Sequence, residues 1–196
     1  MTASRLILAS QSSRRRQLLK QLGVKFSVRA QDIDESYKGD EQPFDLATRL
    51  AEEKAEICFK KSADPDVVVL ASDTIVVVEE DIFVKPKDRN DAIRMLLRLS
   101  AKTHRVLTAV SARCHTKSKT ILSETFVNFR IISSAEAGYY WDTGEPRDKA
   151  GAYAIQGFGA AFIKYIEGSY SGVMGLPLYE TAELLGEFGI DCWQKV

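Results

Sequence analysis

The twelve residues from Val67 to Val78 read VVVLASDTIVVV, and no other stretch limits the fold so tightly. A β-branched run of this length spells a strand buried on both faces of a sheet. At its centre stand Ser72, Asp73 and Thr74. An ionised carboxylate in apolar surroundings is costly unless it is paired, hydrogen-bonded or bound to a metal, so Asp73 in a strand requires cationic partners. The competing reading is a turn between two strands. Asp-Thr is a poor two-residue hairpin turn beside Asn-Gly or Asp-Gly, which favours the buried carboxylate and a functional site.

Around this run, strand-like and helix-like segments alternate. Leu6 to Ala9 is a short apolar run, and Arg14 to Leu22 carries Leu18, Leu19 and Leu22 at helical spacing before Gly23, with Ser12 or Ser13 as cap. Pro43 opens a second helix reaching about Lys60. Ile82 to Val84 returns as strand until Lys85-Pro86, and Asp88 or Asn90 starts a further helix. Val106 to Ala112 and Thr120 to Ile132 read as a strand pair joined over His115 to Lys119, and Ser133 with Glu136 forms a capping-box pattern. From Asp148 to Pro177 glycines surround a strand-like AAFIKYI, Ala160 to Ile166. With 196 residues, 45% of them hydrophobic, and no repeat or linker, one domain over 1–196 is expected.

Composition removes several function classes. Lys plus Arg and Asp plus Glu both total 27, so no general basicity points to nucleic acid and any anion site must be local. Cys58, Cys114 and Cys192 are far apart and in no zinc-ligand spacing, which fits reduced packing thiols. His104 and His115 form no metal-ligating pattern. The apolar run after Arg5 is too short for a signal peptide or membrane span, so a cytoplasmic location is expected.

Two groups of cations stand out. Arg14, Arg15 and Arg16 fall in the first turn of the first helix, where the dipole disfavours cations, so the triplet suits either an arriving phosphate or an ordinary solvated helix start. Lys54 lies on the apolar stripe of the second helix, four residues after Leu50 and four before Cys58; its ammonium either snorkels to water or meets an anion.

Taken together, LASQSSRRRQLL (Leu8 to Leu19), AEEKA (Ala51 to Ala55), ASDTIV (Ala71 to Val76), Lys85-Pro86, KAGAYAIQGFGA (Lys149 to Ala160), Gly168-Ser169-Tyr170 and Gly175-Leu176-Pro177 resemble the Maf family in order and spacing, over nearly the whole chain. The resemblance implies an α/β fold with an elongated mixed sheet flanked by helices, similar to the inosine-triphosphate pyrophosphatases, with a central nucleotide cleft and often a homodimer. It implies a metal-dependent hydrolase that cuts a nucleoside triphosphate to monophosphate and pyrophosphate, clearance of non-standard nucleotides being one use of that activity. Carried over by position, Ser10, Arg14 and Arg15 become triphosphate contacts, Lys54 and Lys85 further cations, Asp73 the catalytic aspartate, and Glu35, in the acidic loop Asp32 to Glu35, a metal-side carboxylate shared with Asp73. Magnesium or manganese is the implied ion. Arg14, Thr74 and Gln156 resemble the subgroup acting on dTTP and UTP; the 7-methyl-GTP subgroup tends to have Trp, Gln and Glu there. The usual Ser-Pro-Arg-Arg is here Ser12-Ser13-Arg14-Arg15, without the proline that pre-sets the helix start. Asp73 reads equally as general base or metal ligand. Rival readings are a pyrophosphatase for modified or purine nucleotides, and a module binding nucleic acid or a division protein through the arginines; zero net charge and the acid in an apolar strand oppose the latter.

Overall fold

The first strand, β1 (Arg5–Leu8), lies between β2 (Phe26–Val28) and β3 (Val67–Val78) and pairs with both in parallel. Parallel neighbours require crossovers. Helix α1 (Ser13–Gln21) joins β1 to β2, and α2 (Pro43–Lys60) joins β2 to β3. After β3 come β4 (Asp81–Phe83), α3 (Arg89–Leu99), β5 (Thr103–Arg113), β6 (Ser118–Phe129), α4 (Ser134–Asp142), β7 (Ile163–Glu167), α5 (Tyr170–Met174) and α6 (Leu178–Glu187). The sheet has seven strands in the order β2-β1-β3-β5-β6-β7, with β4 on β3, so the mixed α/β class expected of the sequence is observed. The computed structural model describes residues 5–31, 33–37, 39, 41–62 and 64–193, and Asp32 of the acidic loop lies outside them. No described helix is long and apolar enough to cross a membrane. Cys58, Cys114 and Cys192 are free thiols.

The chain divides into two compact units, Met1–Asp73 with Thr108–Ser123 and Gly175–Val196, and Thr74–Leu107 with Glu124–Met174; β3, β5 and β6 each contribute to both. In the first unit Ile7 and Ala9 pack with Val67, Val69 and Ala71 against Ala55 and Cys58 of α2. Residues two apart share a face of a strand, so Val67, Val69 and Ala71 fix the face that meets α2, and Asp73 continues that row. Each large aliphatic side chain so buried stabilises the fold by about 1.5–3 kcal/mol. The same alternation turns Ser72 toward the other face.

The second unit has its own core, in which Val76, Leu96, Val127, Phe129, Tyr140, Tyr153 and Phe162 are buried together. Among the aromatics of β6 and α4, Phe129 and Tyr140 are buried, whereas Phe126 and Tyr139 are exposed. Two boundaries differ from expectation. Ala160 to Phe162 belong to a 3₁₀ turn, Phe158–Phe162, so the strand starts only at Ile163. Strand β6 stops at Phe129 because Ile132 gives its amide to Ser100 Oγ (2.7 Å) instead of a ladder partner. Strand β2 and helices α5 and α6 were not anticipated; α6 is built on buried Thr181, Leu184 and Leu185 at helical spacing, with Thr181 Oγ1 donating to Pro177 O (2.6 Å).

His104 sits in this second core, with Nε2 2.9 Å from Tyr153 Oη and its ring edge-on to Phe129 and Tyr153. Burial pushes its pKa down from 6.5 to about 3. Above pH 6.5 the imidazole is neutral both folded and unfolded, so it adds no pH dependence there. Below 6.5 the unfolded chain takes up a proton that the folded one refuses, and stability falls by up to about 1.4 kcal/mol per pH unit until the folded group titrates near 3. Urea unfolding at several pH values between 7.5 and 4.5 should therefore give a steeper loss for wild type than for His104→Leu. Equal slopes in the two proteins would refute this assignment.

Candidate active site

The first unit gathers four of the residues singled out by the sequence. Lys54 is buried on the inward stripe of α2, and its ammonium does not snorkel to water: Nζ lies 2.5 Å from Asp73 Oδ1 and 2.6 Å from Glu35 Oε1. Asp73 is only 7% exposed within an unbroken strand, which decides against a turn. A carboxylate at that depth is tolerable because its cation comes from the helix packed on the same face. Glu35 arrives from the loop before α2, with its side chain 41% exposed. Arg49 on α2 ties that loop down, donating to Ser36 O (3.1 Å) and forming a bidentate pair with Glu41 at 2.6 and 2.9 Å. The hydrogen bonds to Glu41, with burial working against them, raise the Arg49 pKa still further above its ordinary value.

Helix α1 begins one residue earlier than Arg14. Ser12 is its cap, accepting from the Arg15 amide at 3.3 Å, and the Ser12 amide in turn donates to Ser10 Oγ at 3.2 Å. These hydroxyls define the helix start without the proline. The first turn contains no acidic residue, so the positive end of the dipole and the arginines add in sign. Arg15 is drawn inward, where burial lowers its pKa; the charges of Asp73 and Glu35 oppose that shift and Arg14 reinforces it. It remains a guanidinium at any physiological pH. The geometry therefore assembles Arg15, Lys54, Asp73 and Glu35 in one electrostatic group, next to the turn carrying Ser10 and Arg14.

Two residues that the sequence did not single out as functional hold this group. Arg15 Nε donates to Gly175 O at 2.8 Å, and Ser72 Oγ donates to the same oxygen at 2.9 Å. Gly175 has φ +112°, a conformation that L side chains rarely adopt, so glycine is required for its carbonyl to serve both donors. Ser72 was visible as a polar residue in an apolar strand and Gly175 in the Gly-Leu-Pro motif, but their meeting is a tertiary event.

Thr74, Lys85 and Gln156 belong to the second unit. Thr74 is half-buried on β3, Lys85 is exposed just past β4, and Gln156 is exposed on the loop before the Phe158–Phe162 turn. The amide of Gly151 donates to Val84 O at 3.2 Å, which stitches the end of β4 to the glycine-rich segment leading to Gln156.

Among the described residues no three or more His, Cys, Asp or Glu side chains form a metal cluster. Two hard oxygen donors, Asp73 and Glu35, nevertheless converge on one cation, the Lys54 ammonium. That donor set suits magnesium or manganese, which bind through one or two carboxylates and fill their remaining positions with substrate phosphate and water. It does not suit zinc, which prefers nitrogen and sulfur.

Comparison with known proteins agrees with the motifs. The chain is 49% identical to a dTTP/UTP pyrophosphatase of Saccharophagus degradans over 97% of its own length and 92% of the relative's. It is 49% identical to one of Hahella chejuensis (96% and 94% covered) and 45% identical to one of Vibrio cholerae (96% and 100%). Among solved structures, the Ham1 protein of Staphylococcus aureus aligns with a TM-score of 0.47 and 16% identity, covering 64% of this chain and 71% of that one. The profile of the Maf-like proteins matches residues 5–188, which include every residue of the site described above, and the chain belongs to the Maf family.

Proposed function

We propose that this chain hydrolyses dTTP and UTP to the nucleoside monophosphate and pyrophosphate. The observation that carries the reading is the buried Lys54 ammonium joining Asp73 to Glu35 within the same electrostatic group as Arg15, in a chain 45–49% identical to proteins named dTTP/UTP pyrophosphatase. Attack at the α-phosphorus needs neutralised charge, an aligned water and a stabilised leaving group. Arg14 and Arg15 at the α1 start and Lys85 meet the triphosphate oxygens, with Ser10 as a neutral contact. The water oxygen bonds to the α-phosphorus, the bond to the α–β bridging oxygen breaks with its electron pair leaving on pyrophosphate, and the Asp73 carboxylate accepts the water's proton. Lys54 keeps Asp73 in place for that transfer and keeps Glu35 beside it. Magnesium or manganese, held by Asp73 and Glu35 when bound, would neutralise phosphate charge and acidify coordinated water.

For the base, Thr74 and Gln156 are the selecting side chains, since the Gln156 amide offers both the donor and the acceptor that the edge of uracil or thymine matches. A panel of dTTP, UTP, CTP, GTP and 7-methyl-GTP with magnesium or manganese, read by pyrophosphate release, tests the reading. The expected outcome is kcat/KM at least roughly tenfold higher for dTTP and UTP than for the others, with activity lost on chelation and restored by the metal. Metal-supplied protein that prefers a purine, or cleaves none of the five, sinks it. The reading extends to a cytoplasmic homodimer, which sedimentation and cell fractionation test.

A further inference from the structure

The proposed base-reading residue, Gln156, is exposed on a loop that is gripped on both sides by one hydrogen-bonded pair, buried Tyr140 and half-buried Glu145. Tyr140 on α4 donates its hydroxyl hydrogen to Glu145 Oε1 at 2.6 Å, and the same hydroxyl oxygen accepts the Ala154 amide at 3.0 Å. Glu145 Oε2 accepts the Phe158 amide at 2.9 Å, and Oε1 accepts the Gly159 amide at 3.0 Å. Two residues before Gln156 and two and three residues after it are thus fastened to the same pair. The glycines are cut to this fit: a Cβ on Gly157, at φ +151°, would stand 2.2 Å from Glu145 Oε2, and one on Gly159 would stand 2.6 Å from Tyr140 Oη and from Ala154 O. A carboxylate accepting three hydrogen bonds is also held ionised: burial pushes the Glu145 pKa up, but the Tyr140 hydroxyl and the two amides outweigh it and leave it lowered.

We propose that Glu145 and Tyr140 are specificity-determining positioning residues, which fix the orientation of Gln156 and through it the preference for a pyrimidine triphosphate. The inference rests on Gln156 reading the base. A loop whose backbone is tied down on both sides presents one donor–acceptor pattern, whereas a released loop lets the amide adapt to other base edges.

The test measures kcat/KM on dTTP and GTP for wild type, Glu145→Gln, Tyr140→Phe and Gln156→Ala, and for Glu145→Gln combined with Gln156→Ala. Tyr140→Phe keeps the ring, which packs edge-on against Phe162 at 5.0 Å between centroids, so it retains the core even if Glu145→Gln does not fold. Each clamp variant should lower the dTTP-to-GTP ratio about tenfold, chiefly through KM for dTTP, and hydrogen exchange at Phe158 and Gly159 should quicken. In the Gln156→Ala background the Glu145→Gln change should leave the ratio where it already is. Unchanged ratios in both single variants, or a full further drop in the double variant, overturn the inference while leaving the proposed activity standing. A wild type without pyrimidine preference overturns the activity reading itself.

Discussion

Asp73→Asn should lower kcat for dTTP by a factor on the order of 10³ while leaving the protein folded. Asparagine matches aspartate in shape, so the strand and its α2-facing row keep their packing. The change removes the negative charge that accepts a proton and binds a hard cation, and losses of 10²–10⁴ are typical when such a group is neutralised. It also leaves the Lys54 ammonium, 9% exposed as a side chain, with Glu35 in place of two carboxylates. A modest fall in melting temperature should therefore accompany the loss. Pyrophosphate release under saturating dTTP, together with a thermal melt, separates the two effects. A kcat within tenfold of wild type would show that Asp73 serves the fold and that the chemistry lies elsewhere.

Lys54→Met should harm both stability and rate, by similar free energies. Methionine fills the stem's volume on the α2 stripe, so little packing is lost. What disappears is the cation joining Asp73 Oδ1 and Glu35 Oε1, leaving two carboxylates without it. Removing one partner of a buried ion pair costs about 3–5 kcal/mol. Because the Glu35 side chain is 41% exposed and can turn toward water, about 3 kcal/mol is the expected loss. Activity should fall by on the order of 10²–10³, since Asp73 loses the group that positions it. Urea unfolding and pyrophosphate release measure the two quantities, and adding Glu35→Gln to Lys54→Met should recover part of the stability by removing the repulsion between the two carboxylates that the lysine had joined. No recovery would mean that the two carboxylates do not share the lysine energetically.

Much of this was legible along the chain because the signals are local. Alternation and β-branching mark β3 residue by residue, the 3.6-residue stripe marks α2, and Ser12 and Ser133 mark helix starts by their own hydrogen-bonding chemistry. The buried acid was legible for the same reason, as a charged residue breaking an apolar period. Less visible were elements whose stability comes from distant partners: three-residue β2, which exists through its pairing with β1, and the 3₁₀ turn at Phe158–Phe162, whose first amides are held by Glu145.

The sequence by itself determined that a carboxylate lies in the middle of a buried strand, that a lysine lies on a buried helix face, and that arginines crowd a helix start. It could not say that the carboxylate and the lysine meet. That depended on the row Val67, Val69, Ala71, Asp73 facing α2, on Arg49 drawing Glu35 to the same ammonium, and on the Gly175 carbonyl receiving Arg15 and Ser72 together. Those contacts join residues 13 to 160 positions apart, at distances of a few ångströms, and only the closed tertiary structure sets such distances.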